Sequence, residues 1–247
     1  MSSKLTILEK PRIMQPEILK QNNLIECSFK ELETWSEIQH DLFNEIIAIF
    51  QHYEHKDGLF EELNRKIYIR RSTLEKNINI RRKSNKEIFE LLKKMRDTSF
   101  TIKGIFAPDG YKKTAAMSFF NYVDVNEKAG KESYFVIEYS ELFSMLCDRN
   151  YSLKYGNYCK LNILKVNSLN SKYAKALYEL IEANSYKKQF TFNEEELKSL
   201  LRYDVKHHRF STLLREIDKV YEAVNSHIKF TYKVYKETRT ISFKIEK

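Results

Sequence analysis

Between residues 206 and 245 the spacing of apolar residues changes period once, from helical to strand-like. In "KHHRFSTLLREIDKVYEAVNSH", residues 206–227, Phe210, Leu213, Leu214, Ile217, Val220, Tyr221 and Val224 fall on one side of a 3.6-residue turn. In "HIKFTYKVY" and "TISFKIE" the apolar residues alternate instead: Ile228, Phe230, Tyr232 and Val234, then Ile241, Phe243 and Ile245. That alternation predicts two strands with one buried face each, joined as a hairpin by "KETR". A one-sided helix followed by a half-buried hairpin must share a core, which restricts this part of the chain to a small α+β unit.

The residues upstream fill in that unit. "SLNSKYAKALYELIEAN" places Tyr173, Leu177, Leu180 and Ile181 on one helical face, and "KQFTF" reads as a short strand. Asn193 and Glu196 stand in capping-box register before Leu197, Leu200 and Leu201. The first half of the chain follows the same order. A long helix carries Trp35, Ile38, Leu42, Ile46, Phe50 and Tyr53; "RKIYIRR" is a short strand; Ser72 with Glu75, then Ser84 with Glu87, mark two capped helices, the second burying Ile88, Phe89, Leu92 and Met95. "SFTIKGIF", "KTAAMSFFNYVDV" and "SYFVIEY" read as strands, and "SELFSMLCD" as a short closing helix. There is little residue identity between the halves, so the repetition is architectural. Helix, strand, helix, helix and hairpin is the order of a winged helix, a helix-turn-helix with a β-hairpin wing. The expected fold is therefore α+β, with two tandem winged-helix domains: an extension over 1–21, a first domain over 22–150 and a second over 151–247.

Charge is distributed unevenly. The chain is +9 overall, yet residues 65–113 hold 15 Lys and Arg against 5 Asp and Glu, and residues 185–247 hold 14 against 9. These surpluses together exceed the total, so the remainder is net acidic. On the helix within 206–227, His208, Thr212, Arg215 and Lys219 lie opposite the apolar stripe, within about 60° of one another, and Arg209 flanks them. Such a ridge suits a major-groove reader: arginine offers guanine a bidentate fork, and threonine meets the thymine methyl. Glu216, Asp218 and Glu222 favour the plainer reading, a solvated amphipathic helix; the hairpin that follows and the charge surplus favour DNA. Lys206 and His207 precede the ridge as phosphate contacts. In the first half, "IRRSTLEKNINIRRKSNKE" supplies Arg70, Arg71, Lys76, Arg81, Arg82 and Lys83. These form either a solvated basic loop or, as the repeated architecture favours, a phosphate clamp helped by the helix N-terminus near Ser84.

Other chemistry is poorly supported. No glycine-rich phosphate loop is present. Cys27, Cys147 and Cys159 are odd in number and lack a CxxC pairing, which argues against a disulfide framework or zinc site and for a reducing cytosol. The N-terminus has no apolar signal region, and no apolar run is long enough for a membrane span. A metal-dependent nickase or relaxase would need a His–hydrophobic–His pair beside a tyrosine nucleophile, but His207 and His208 are adjacent. His52 and His55 are three apart and have the spacing to share a metal, but two surface histidines at a helix end is the favoured reading. No catalytic residue, metal or cofactor is expected, and the chain reads as a non-enzymatic binder.

"LNSKYAKALYELI" (169–181), "FTFNEEELKSLL" (190–201) and "RFSTLLREIDKVYEAVNSHIKFTYKVYK" (209–236) resemble the iteron-binding plasmid replication initiator (Rep) proteins. Leu169, Ser171, Tyr173, Ala174, Leu177, Tyr178, Glu179 and Leu180 match that family's Leu–x–Ser–x–Tyr–Ala–x–x–Leu–Tyr–Glu–Leu run, and Phe210 to Asn225 follow its later helix. "KQNNLIE" (20–26) is similar to the entry to the family's first domain. The resemblance implies a cytoplasmic bacterial protein with two winged-helix domains gripping one side of a DNA repeat, the second doing most of the base reading. It further implies monomers on direct repeats at an origin, and a homodimer joined through the first domain that represses its own gene from an inverted repeat. Opening of an AT-rich segment and recruitment of host initiator and helicase complete the implied activity. A tandem winged-helix transcriptional regulator without a replication role is the alternative.

Overall fold

The computed structural model describes residues 17–26, 35–57, 66–106, 111–156, 158–203 and 209–246. The chain opens with β1 (Glu17–Gln21), α1 (Asn22–Glu26) and the long α2 (Glu37–Asp57). There follow β2 (Lys66–Arg70), α3 (Arg71–Asn77), α4 (Asn85–Asp97), β3 (Ser99–Phe106), β4 (Lys112–Ser118), β5 (Phe120–Asn126) and β6 (Tyr134–Tyr139). The middle holds α5 (Glu141–Cys147), α6 (Arg149–Tyr155), β7 (Tyr158–Asn162) and α7 (Ile163–Ser168). The second half is α8 (Lys172–Ala183), β8 (Gln189–Asn193), α9 (Glu194–Leu200), α10 (Phe210–Asn225), β9 (Phe230–Tyr235) and β10 (Thr240–Ile245). None of the described helices is long and apolar enough to cross a membrane.

The two halves share a topology. β2, β6 and β5 form an antiparallel sheet in that order, and β8, β10 and β9 form another. In each, the strand before the paired helices lies beside the last strand. One backbone bond recurs as well: Arg71 N–H donates to Ser133 O (3.0 Å), and Glu194 N–H to Arg239 O (2.9 Å), so each second helix is anchored to its hairpin turn. Among the described residues, the first half alone carries an inserted hairpin, β3 with β4, between α4 and the sheet.

Local chemistry accounts for most element ends. Ser84 caps α4 in a full capping box with Glu87, and Asn193 caps α9 likewise with Glu196. The box anticipated at Ser72 does not form: α3 begins two residues earlier, with Arg70 rather than Ser72 at the N-cap and no side-chain cap. Glu132, from the β5–β6 turn, accepts from Ser72 N–H (3.0 Å) instead, while Glu75 is drawn to Arg71 (2.6 Å). "KTAAMSFFNYVDV", read as one strand, is two. Phe119 and Phe120 are consecutive and both buried, at 0% and 1% exposure, although neighbours in a regular strand point to opposite faces. The break at Phe119 resolves this by sending its ring among Phe100, Phe43, Phe143 and Trp35, with Phe100 stacked at 4.0 Å between centroids.

Residues 17–21, placed by sequence within an N-terminal extension, form β1 and pair antiparallel with β7, from Glu17 opposite Asn162 to Gln21 opposite Tyr158. On the side away from β7, Gln51 of α2 serves Leu19 as a strand would, accepting from its N–H (3.0 Å) and donating to its carbonyl (2.7 Å). The β1 segment is thereby built into the junction of the two halves.

That junction is polar and dry. Glu179 on α8 accepts from Lys20 Nζ of β1 (2.8 Å), His40 Nε2 (2.8 Å) and Asn44 Nδ2 (2.7 Å) of α2. Arg202, just past α9, donates to His40 Nδ1 at 2.6 Å and lies 3.9 Å from Glu179. One turn earlier on α8, Lys175 meets Asp41 (2.5 Å) and Glu37 (3.2 Å). Burial alone would raise the Glu179 carboxyl, but Lys20, His40 and Arg202 hold it well below the usual carboxylate range. Burial, aided by Arg202, pushes His40 down to about 3, so its ring is neutral. Asp41 is pushed up to about 6 by burial, against the pull of Lys175. A second tie runs through α7. Asn167 donates to the Asn77 carbonyl at the end of α3 (2.9 Å), Asn77 donates to buried Glu45, and Lys165 and Ser168 hold His227 beyond α10 at 3.3 and 3.0 Å.

Removing one member of such a set strands the others in a dry interior. Glu179→Leu is expected to cost about 3–5 kcal/mol in urea unfolding, since Lys20 and Arg202 lose their counter-charge. His40 binds a proton more readily unfolded (ordinary value 6.5) than folded (about 3), so the stability it contributes is complete above pH 6.5 and is lost as pH falls towards 3. His40→Gln retains a donor and an acceptor but does not titrate. Between pH 6 and 4 wild type is therefore expected to lose stability relative to this variant by about 1.4 kcal/mol per pH unit. Urea midpoints across that range measure it.

Candidate nucleic-acid interface

α10 is seated by its inner residues. Phe210, Leu213, Ile217, Val220 and Val224 are buried, and the helix packs on α8. Two tyrosines fasten it to the hairpin: Tyr221 Oη donates to the Phe230 carbonyl (2.9 Å), and Tyr232 Oη to Asp218. With the apolar stripe fixed inward, the opposite face is set outward. Arg209, Arg215 and Lys219 are exposed and Thr212 is half-buried. The helix starts at Phe210, with Arg209 at its N-cap and no side-chain cap there.

The acids on α10 are partly engaged. Asp218 is held by Tyr232, and Glu216 pairs with Lys219 (2.6 Å). Lys219 is thus the most compensated described cation of the ridge, whereas Arg209, at the helix start, and Arg215 are exposed. Lys206, His207 and His208 lie outside the described residues.

Beside the start of α10 lies a cleft lined by Arg209, Phe210 and Ser211, by Glu194, Glu195 and Lys198 of α9, and by Arg239 of the β9–β10 turn. Arg239 has φ +49° and reaches Glu194 (3.3 Å), which also holds Lys198 (2.5 Å). The turn presents Lys236 and Arg239 to solvent, with Lys233 exposed along β9. Sequence reasoning missed these hairpin cations. Their signal was present in "KVYKETR", which reads as a connection rather than as a surface.

In the first half the basic residues divide. Arg71 is committed inside: it donates to Glu75 (2.6 Å), to Asn85 Oδ1 (2.5 Å) and to the Lys83 carbonyl (2.6 Å), clamping the link between α3 and α4. It builds the turn with three of its five N–H donors, and its side chain is 22% exposed. Arg70 lies 3.7 Å from Glu132, and Lys83 lies 3.7 Å from Glu87. Lys76, Arg81 and Arg82 are exposed, the arginines at the tip of the link. The N-terminus of α4 offers less to an anion than its position suggests. Glu87 accepts from Ser84 N–H (2.7 Å), a backbone bond that holds its carboxylate below the ordinary range, so a negative charge already sits there. Lys86, the second residue of α4, is exposed; α4 occupies in the first half the place of α10 in the second.

Residues 17–182, from β1 into α8, match the family described as initiator replication protein, WH1. Among solved structures, the chain is similar to the Pi initiator protein, whose crystal structure is described as a complex with iteron DNA. The two share 15% identity with a TM-score of 0.57, over 94% of this chain and 98% of that one, a likeness of fold. A search of curated proteins gives no match. With the family match spanning more than half of its residues, the chain belongs to the initiator replication protein family.

Proposed function

We propose that this protein is a plasmid replication initiator that binds duplex DNA sequence-specifically, through two tandem winged helices, on direct repeats at its origin. The observation that carries the reading is α10: five inward residues and two tyrosine staples hold it so that Arg209, Thr212 and Arg215 face out beside a cationic hairpin turn. Family membership supplies the biological setting, and the iteron DNA of the Pi initiator complex supplies the class of site.

Within this reading Arg209, Thr212 and Arg215 read bases, with Lys219 in a minor part and His208 in the role its sequence position suggests. Arg81, Arg82 and Lys76 meet phosphates in the first half, joined by Lys83 and Arg70 where the backbone passes close; Lys206 and His207 do so ahead of α10. Lys236 and Arg239 join them from the wing. Arg71 takes a lesser part, because three of its five N–H donors already hold the α3–α4 link. The protein does this work without catalysis or a cofactor. Opening of an AT-rich segment, contact with host initiator and helicase, and repression of its own gene by a homodimer follow from the Rep resemblance and belong to the same proposal.

A nuclease footprint on DNA flanking the gene tests the reading. Protected direct repeats beside an AT-rich tract are expected; a lone palindrome would indicate a regulator, and no protection would end the proposal. Arg215→Ala is expected to lower the preference for the repeat over random duplex by about 1–3 kcal/mol. The double variant Arg81→Ala, Arg82→Ala should weaken all duplexes alike and flatten the plot of log affinity against log salt by about 0.9 for each phosphate no longer neutralised. Titrations at several salt concentrations, with specific and random duplexes, separate the two effects.

A further inference from the structure

The turn that leads from α9 towards α10 closes with two backbone bonds, Arg202 N–H to Ser199 O (3.0 Å) and Tyr203 N–H to Lys198 O (2.8 Å). This is the Schellman arrangement, whose left-handed residue is most often glycine. Here that residue is Arg202, at φ +59°. The turn needs only backbone atoms at this point, and a side chain with a Cβ is disfavoured in the left-handed region. The arginine side chain must therefore be explained by what it touches.

Arg202 is 6% exposed and its guanidinium points into the junction. It donates to His40 Nδ1 on α2, 162 residues away in sequence, at 2.6 Å. Arginine has no acceptor, so Nδ1 must carry the lone pair and Nε2 the proton. Nε2–H then donates to Glu179, consistent with the neutral ring. His40 thus has its ring fixed in orientation from both sides, and only the arginine belongs to the α9–α10 turn. On the other side of the turn, Tyr203 is 3% exposed and packs on Tyr173 of α8 with ring centroids 5.0 Å apart. A chain of contacts therefore runs from the long helix of the first half through the turn to α8, on which α10 packs.

We propose that Arg202 is a positioning residue: by tying the α9–α10 turn to α2, it sets the spacing between the DNA contacts of the two halves. The proposal rests on the DNA-binding reading above. Coupled halves bind as one rigid ruler and reject a site of the wrong length, whereas uncoupled halves adapt to it.

The test uses the full-length protein and two duplexes, the footprinted repeat and the same repeat with one base pair inserted between its two protected segments. Wild type is expected to prefer the native spacing by about tenfold or more. Arg202→Gly keeps the left-handed turn while removing the tether, and should narrow that preference to under about threefold, with the salt dependence unchanged because the same phosphates are met. His40→Leu should relax spacing in the same way from the other half, and the double variant should add nothing further. Arg202→Lys, which keeps the charge but loses the planar fork, should fall between; if circular dichroism finds Arg202→Gly unfolded, the lysine variant decides. Full spacing discrimination in the folded variants overturns the proposal while leaving DNA binding intact. Failure of wild type to bind either duplex overturns the DNA-binding reading instead.

Discussion

The carboxylate of Glu179 is the point from which the rest of the molecule is organised. It is the anion in a dry junction that holds Lys20, His40, Asn44 and the approach of Arg202, and these groups come from β1, α2 and the end of α9. A buried ion set of this kind contributes little net stability compared with well-packed apolar residues, because desolvation cancels much of the attraction. Its effect here is on arrangement. Apolar faces slide with modest penalty, but a carboxylate that must meet three donors at 2.7–2.8 Å allows one seating of α8 against α2. The outward faces of α4 and α10 inherit their relation from that seating.

The division of labour among arginines follows from the same logic. Arg71 opens α3 and Arg202 follows α9, at opposite ends of the short helices before α4 and α10, and each turns guanidinium donors onto the protein's own interior. Arg81, Arg82, Arg209 and Arg215 remain at the surface. A guanidinium offers several donors in a fixed plane, so it serves equally as an internal clamp or as an external reader. Composition cannot separate these uses; partners within reach decide which one applies.

Much of the architecture was legible because it rests on local rules. The change from helical to alternating spacing located α10, β9 and β10, and two capping boxes located the starts of α4 and α9. What escaped depends on contacts distant in sequence. β1 has no alternation to mark it, since four of its five residues are buried through pairing with β7 and packing on α2. On α8, Lys175 and Glu179 have the spacing of a solvated surface pair, yet both are buried because α2 supplies Asp41, His40 and Asn44 opposite them. The outward ridge of α10 was visible as a pattern of angles, whereas the commitment of Arg71 was not, because Asn85 and the Lys83 carbonyl reach it only after the link has turned back.

The pairing of β1 with β7 also bears on how the chain is made. Lys20 and Glu179 are 159 residues apart, and β1 finds its neighbouring strand only at 158–162. Until the ribosome has delivered those residues, β1 has no partner strand and the first half has no closed junction, despite holding a sheet and an aromatic cluster of its own. Domain-by-domain folding during synthesis, the usual course for larger chains, therefore cannot run to completion on the first half alone. Polypeptide made late completes polypeptide made early, and a nascent chain arrested near its midpoint would leave β1 open to pairing with whatever edge lies nearest.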